Sequence, residues 1–232
     1  MLASDAAAAA STWRPQLFGD RRAAEIDDPL VEPLWTGPRA LAYVADDEAR
    51  LTDVDGDPIE GRDDVLAELV EAAGGSTVLL EGVLTPEPLQ ATAVIAAREE
   101  LAIPRATSTV GAMIVGERSG RKDRFQSRAE EAKQRSTSDL RVPAALVVVD
   151  LLWLDDESIC DVPLLERRRI LESVLPESEL VRLGVFVKPP IDPWLGGWRA
   201  IGFNRLAYKG ANSRYTPGQK NRDWATAEIP RR

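Results

Sequence analysis

The run Ala144-Ala-Leu-Val-Val-Val-Asp-Leu-Leu-Trp153 is apolar at every position except Asp150. It is too short to cross a bilayer. No polar alternation marks a solvent face, so it predicts a strand covered on both sides. Downstream, Asp161 is expected to cap a helix with Pro163 in its first turn, whose Leu164, Leu165, Ile170, Leu171, Val174 and Leu175 face inward, and Pro176 stops it. Val185-Phe-Val-Lys188 predicts a short strand, and Pro189, Pro190 and Pro193 a loop. Asn204 to Lys209 predicts a further strand, followed by the turn-rich Gly210–Gly218 and a closing strand through Trp224. Upstream, Leu41-Ala-Tyr-Val44 and Arg50-Leu-Thr-Asp-Val54 flank an acidic turn and predict a hairpin. Asp63-Asp64 opens a helix that Gly74-Gly75 ends, with Val65, Leu66, Leu69 and Val70 on one face. Thr77 to Glu81 is strand-like, and Leu89 to Leu101 has helical composition. Residues 104–140 form a polar insertion, expected to be partly disordered, with a short apolar piece (Val110 to Val115) and a charged helix near Ser127–Arg135. Residues 1–25, Ala-rich and then polar, are expected to form a loose arm. Hairpins mixed with separate helices imply an α+β fold, two antiparallel sheets with flanking helices, rather than a doubly wound one.

Composition narrows the chemistry. The chain has 232 residues, 44% hydrophobic and 29% charged, the proportions of a folded domain. No apolar run is long enough for a membrane span, and no basic segment precedes the N-terminal Ala run, so a cytoplasmic location is expected. Cys160 is the one cysteine and there is no histidine. That excludes an intrachain disulfide, Cys/His zinc sites and Ser-His-Asp triads. Net charge is −9, unevenly spread. From Arg199 to Arg232 eight basic residues face two acidic ones, a local +6, and the remainder carries −15. A second, mixed cluster lies between Glu117 and Arg135 and reads as a solvated face.

Short segments then fall in a specific order. They are Glu32-Pro-Leu-Trp-Thr-Gly-Pro-Arg39, Glu81-Gly82-Val83, and Asp150-Leu-Leu-Trp-Leu-Asp155 with Pro163-Leu-Leu-Glu-Arg-Arg168. Asn204-Arg-Leu-Ala-Tyr-Lys209, Ser213-Arg-Tyr-Thr-Pro-Gly218 and Arg222-Asp-Trp224 complete the series. The series resembles the adenylation domain of ATP-dependent DNA ligases, in the nucleotidyltransferase superfamily that includes mRNA capping enzymes, from about Trp13 to Glu228. The resemblance implies an ATP-grasp-like fold over residues 26–232. Relatives pair this domain with an OB domain, and none is expected within these 232 residues.

In that family a lysine within Glu-x-Lys-x-Asp-Gly-x-Arg attacks the α-phosphate of ATP. Here Glu32, Gly37 and Arg39 match, but Leu34 stands at the lysine position and Thr36 at the aspartate. Val83 stands where Asp-Gly-Glu ends, Val149 where an aromatic stacks on adenine, and Asn204-Arg205 where the family has Glu-Gly. Thr226 and Glu228 occupy the phosphate-binding lysines of the closing motif. The first lysine of the chain is Lys122, so no shift of alignment supplies the nucleophile.

The resemblance therefore implies a ligase-like adenylation domain with no catalytic residue, in a binding or accessory role in DNA repair. Glu32, Arg39, Glu81 and Lys209 are the candidate nucleotide contacts, with ATP and magnesium as the ligands implied and no metal site expected. Lys209, Arg214, Lys220 and Arg222 are the candidate contacts to DNA, bound weakly; a DNA-repair protein is the other partner implied. Two alternatives stand beside this: an active enzyme whose nucleophile is Lys188 or Lys209, and a structural protein without a nucleotide site.

Overall fold

A computed structural model describes residues 3–86 and 144–230, which belong to one unit of the chain. In order these form α1 (Ala3–Thr12), β1 (Leu17–Phe18), a 3-10 turn (Ala23–Glu25), β2 (Pro29–Pro33), β3 (Arg39–Ala45) and β4 (Glu48–Thr52). Then come α2 (Asp63–Ala73), β5 (Val78–Thr85), β6 (Ala145–Leu154), β7 (Glu157–Ser158), α3 (Leu164–Val174) and β8 (Val181–Leu183). The last are α4 (Asp192–Ala200), β9 (Arg205–Gly210), β10 (Lys220–Asn221) and β11 (Trp224–Glu228). The expectations for 89–101 and 104–140 lie outside the described residues. No helix among those described is long and apolar enough to cross a membrane.

The larger sheet runs β4-β3-β5-β6-β7, with β8 beside β6; a second runs β11-β9-β2. Both are antiparallel except that β8 is parallel to β6, and β1 with β10 forms a small parallel pair. The expected α+β class with flanking helices is observed, but the two main sheets are not both purely antiparallel, since β8 joins the larger in parallel and a small parallel pair stands beside them. β6 is the covered strand its sequence predicts: it pairs with β5 on one edge and with β7 and β8 on the other.

Alternation along the strands sorts the core into two faces. Ala40, Ala42, Val44, Leu80 and Leu146 meet Val65 and Leu69 of α2 and Leu171 of α3. Leu41, Leu79 and Trp153 face the other way, toward Tyr215 and Trp224. Two bulges interrupt β6. Gly82 pairs with Val148 and Glu81 with Asp150, leaving Val149 extra; Leu152 is extra in the same way. A bulge turns a strand locally and re-aims its side chains. On the smaller sheet, Leu195 and Trp198 of α4 pack with Val31, Leu206 and Ile229.

Four local expectations are corrected. Residues 1–25 are not a loose arm: Ala6, Ala9 and Ala10 of α1 are buried on the face of Leu41, Leu79 and Trp153. Methyl side chains let the helix lie close to the sheet, and Arg50 holds it by donating to the Ala7 carbonyl at 2.9 Å. A lone ten-residue alanine helix is marginal in water, so packing sustains it. The strand expected at Val185–Lys188 lies instead at Val181–Leu183, where Val181 is buried beside Leu146. Val187 makes one isolated bridge to Val31. The proline-rich stretch holds a helix, α4, because Pro193 sits in its first turn, where a missing N–H costs nothing. Finally, Pro163, not Asp161, occupies the N-cap of α3.

Cys160 reports on this packing. It is buried in the α1 face, and burial pushes its thiol pKa up to about 11. Iodoacetamide at pH 8 is therefore expected to label it only as the protein unfolds. Ala6→Asp, which puts a carboxylate on the buried face of α1, should cost ~2 kcal/mol or more and open Cys160 to labelling. Intact mass after timed alkylation checks both; rapid labelling of the unaltered protein would show that α1 does not cover this face.

Candidate functional site

The two sheets approach one another where β2 leaves the smaller and β3 enters the larger. The intervening loop, with β5, β6, β9 and β11, encloses a cleft of about 230 Å³. Its lining is Phe18, Glu32, Pro33, Leu34, Trp35, Gly37, Arg39, Glu81, Val83, Val149, Lys209 and Trp224. Two glycines shape its approach. Gly37 has φ +149°, and a Cβ there would collide with the Leu84 carbonyl. A Cβ on Gly82 would strike Leu146 and the Val147 carbonyl, so only glycine lets β5 lie against the bulged β6.

Register brings the charges together. Leu30 of β2 and Trp224 of β11 lie opposite Lys209 of β9, and Glu32 lies opposite Ala207. Glu32 and Lys209 are thus diagonal neighbours across antiparallel strands, within reach of long side chains. They form an ion pair whose side chains are only 8% and 4% exposed. The Lys209 ammonium also sits 4.5 Å from the Trp224 ring centre.

The second pair is Arg39 with Glu81. Arg39 Nε donates to Glu81 Oε1 at 3.1 Å, and Nη2 donates to the same carboxylate and, at 2.6 Å, to the Gln16 carbonyl. Tyr215 Oη donates to Glu81 Oε2 at 2.6 Å and accepts from the Gln16 N–H at 2.9 Å. Burial alone would push the Glu81 carboxyl up. Arg39, Lys209 and the Tyr215 hydroxyl outweigh burial and hold it below its ordinary 4.5. Burial, with Glu81 adjacent, drives the Tyr215 phenol well above 10.

A further ion pair lies beneath. Arg167 grips Asp150 at 2.8 and 2.6 Å, both fully buried, and donates to the carbonyls of Val162 and Ser213. Arg168 donates to the Val149 and Gly184 carbonyls. The two arginines of α3 thus hold both sides of the bulge that puts Val149 into the cleft. The Trp224 indole N–H donates to Ser213 Oγ at 3.0 Å.

All four candidate nucleotide contacts, Glu32, Arg39, Glu81 and Lys209, line this one cleft. The candidate DNA contacts separate. Arg214, Lys220 and Arg222 are exposed on β10 and the loops around it, whereas Lys209 is buried in its ion pair and is not part of that surface. Leu34, half-buried, lines the cleft and its backbone N–H bonds the Arg205 carbonyl at 3.0 Å. Phe18, which lines the cleft, and Gln16, which bonds Arg39 and Tyr215, had no local signal, because a chain segment takes such a place only through tertiary packing. Among the described residues no group of three or more His, Cys, Asp or Glu is arranged to hold a metal ion. Among the described residues the donor set does not fit a magnesium triphosphate, since Arg39 and Lys209, the cations lining the cleft, are each engaged by a carboxylate of the chain itself.

The Glu81 network should be measurable. Tyr215→Phe leaves the Glu81 carboxylate and the Gln16 N–H without that partner, and is expected to cost about 1–3 kcal/mol in urea unfolding. Because Glu81 titrates lower when folded, its stabilisation is complete above 4.5 and is lost as pH falls through the folded value. Urea midpoints across pH 7 to 3 should therefore drop on the acid side. Glu81→Gln should flatten that limb; an unchanged limb would place the acid sensitivity elsewhere.

Comparison with known proteins agrees with this geometry. Residues 92–226, more than half of the chain, match the family described as the ATP dependent DNA ligase domain. A DNA ligase of Thermococcus fumicolans is 34% identical over 88 residues, 36% of this chain and 16% of that protein. The ligase domain of LigD from M. tuberculosis superposes with a TM-score of 0.62 at 18% identity, over 94% of this chain and 60% of that one. A mycobacterial DNA ligase D complexed with ATP and MES matches equally, with a TM-score of 0.62 and 18% identity over the same shares. The chain therefore spans less than two thirds of the length of either. With its order of motifs, its two facing sheets and a family match over most of its length, the chain belongs to the ATP-dependent DNA ligase domain family.

Proposed function

We propose that this domain does not adenylylate itself and works as a binding or accessory component in DNA repair, in the cytoplasm, on an ATP-grasp-like nucleotidyltransferase framework. The observation that carries the reading is Leu34. It lines the cleft and stands where the sequence resemblance would put the attacking lysine, and an aliphatic side chain has no electron pair to offer phosphorus. Among the described residues, Lys209 is the one lysine lining that cleft, and it is tied to Glu32. An ammonium held by a carboxylate is no nucleophile. Lys188, the other candidate for an active enzyme, is half-exposed on Asp28 at 3.0 Å and lies outside the lining. Val83, Thr226 and Glu228 extend the pattern, since groups that would hold ribose, metal and phosphate are replaced while those that shape the fold remain.

DNA binding in this reading rests on Arg214, Lys220 and Arg222. Lys220 is paired with Asp20 at 2.8 Å, and Arg222 lies 3.7 Å from Asp223, so part of their charge is already met. A chain of net charge −9 repels phosphate at long range. Binding is accordingly weak, sequence-independent and salt-sensitive.

Incubation with ATP and magnesium followed by intact mass measurement is expected to show no covalent AMP; a stable AMP adduct would overturn the reading. Leu34→Lys should fold, since position 34 is half-buried, yet should not restore the adduct. Each missing preorganised contact commonly costs ~10²–10³ in rate, and several are missing. Duplex and nicked DNA should bind at low salt and be lost near physiological salt, and Arg214→Glu with Arg222→Glu should abolish the low-salt binding. No binding by the unaltered protein even at low salt would favour a purely structural role.

A further inference from the structure

We infer that the cleft takes an uncharged planar aromatic molecule, of nucleobase to nucleoside size, and discriminates against its phosphorylated forms. This rests on the reading above that the cleft is a binding site and not a catalytic one.

Size is the first argument. At about 230 Å³ the space is below the roughly 300–1,000 Å³ usual for larger ligands, so it suits a ring system and little more. Its walls are the second. Phe18 and Trp35 supply aromatic surface, backed by the fully buried Trp224, and Leu34, Val83 and Val149 close the rest with aliphatic groups. Such surfaces gain from contact with a flat ring and nothing from a phosphate. Three of these aliphatic groups stand where the resemblance would place a nucleophile, a carboxylate and an aromatic, so the cleft is more apolar than its family pattern implies.

Charge is the third and decides the sign. Phosphate recognition needs cations free to donate. Here Lys209 is committed to Glu32 and Arg39 to Glu81, in pairs whose side chains are at most 22% exposed. Among the described residues, the cleft lining holds two cations and two carboxylates, whose charges balance. A phosphate entering it must pull a buried cation away from its carboxylate, then remain beside that carboxylate. A nucleoside asks for neither. The arrangement favours the ring and penalises the phosphate, the reverse of a site built for a nucleoside triphosphate.

The test is titration of the full chain with adenosine, AMP and ATP, with and without magnesium. Isothermal calorimetry gives the affinities, and the fluorescence of Trp35 and Trp224 gives a second readout. Adenosine is expected to bind at least about tenfold more tightly than ATP, with AMP between them. Glu32→Gln keeps an acceptor beside Lys209 but lifts the negative charge, and should narrow or reverse the preference. Should that variant fail to fold, Leu34→Arg adds an unpaired cation at a half-exposed position and should likewise raise ATP affinity. Tighter or equal binding of ATP by the unaltered protein would overturn the inference, as would the absence of saturable binding by adenosine. A preference unmoved by either variant would overturn its electrostatic basis. Reversible ATP binding without an adduct would leave the non-catalytic reading standing, whereas covalent AMP would remove that reading first.

Discussion

The Glu81 carboxylate ties three parts of this molecule together. One oxygen receives Arg39 from β3, the other receives Tyr215 from the loop before β10. Through Arg39 and Tyr215 it also fixes Gln16, and with Gln16 the segment that continues α1 into β1. N-terminal segment, large sheet and closing loop therefore meet at one buried anion. A buried charge is tolerated only when fully partnered, so each of the three must be in place for the others to be stable.

The same constraint runs through the rest of the interior. Asp150 and Arg167 neutralise one another with no solvent exposure, and the guanidinium also meets the Val162 and Ser213 carbonyls. Ser213 in turn receives the Trp224 indole, whose ring lies against Tyr215 and below the Lys209 ammonium. Asp150, Tyr215 and Trp224 thus persist in the pattern for a structural reason: they belong to a polar network beneath the cleft. Removing one member would leave another unpaired in a low-dielectric setting, and that cost retains them whether or not phosphoryl chemistry takes place above.

Framework and chemistry separate cleanly on this basis. Gly37 and Gly82 remain because a side chain at either would strike backbone. Leu34, Val83 and Val149 make an apolar wall of the cleft, and in the proposed reading they stand where the family pattern has groups that meet ATP or metal. The charges that do remain in the cleft, Glu32, Arg39, Glu81 and Lys209, satisfy one another. In the proposed reading a site for a charged reactant has become a neutral, aromatic pocket on the same scaffold.

Much of this was legible in the sequence. The covered strand around Asp150, the hairpin of β3 and β4, the helices opened by Asp63 and Pro163, and the strand ending at Lys209 follow from local periodicity and turn chemistry. The order of motifs placed Glu32, Arg39, Glu81 and Lys209 in one site, and the absence of any lysine before Lys122 is a property of sequence alone. Tertiary structure decided the rest. An alanine run carries no amphipathic signal, so only contact with Leu41 and Trp153 reveals α1 as packed. Two prolines in the stretch 190–193 argue for a loop until the first turn of α4 is seen to need no N–H from Pro193. Above all, the sequence lists charges without saying which meet. Diagonal register between β2 and β9 turned Lys209 from a candidate DNA contact into the partner of Glu32, because an ion pair depends on distance in space and not on position along the chain.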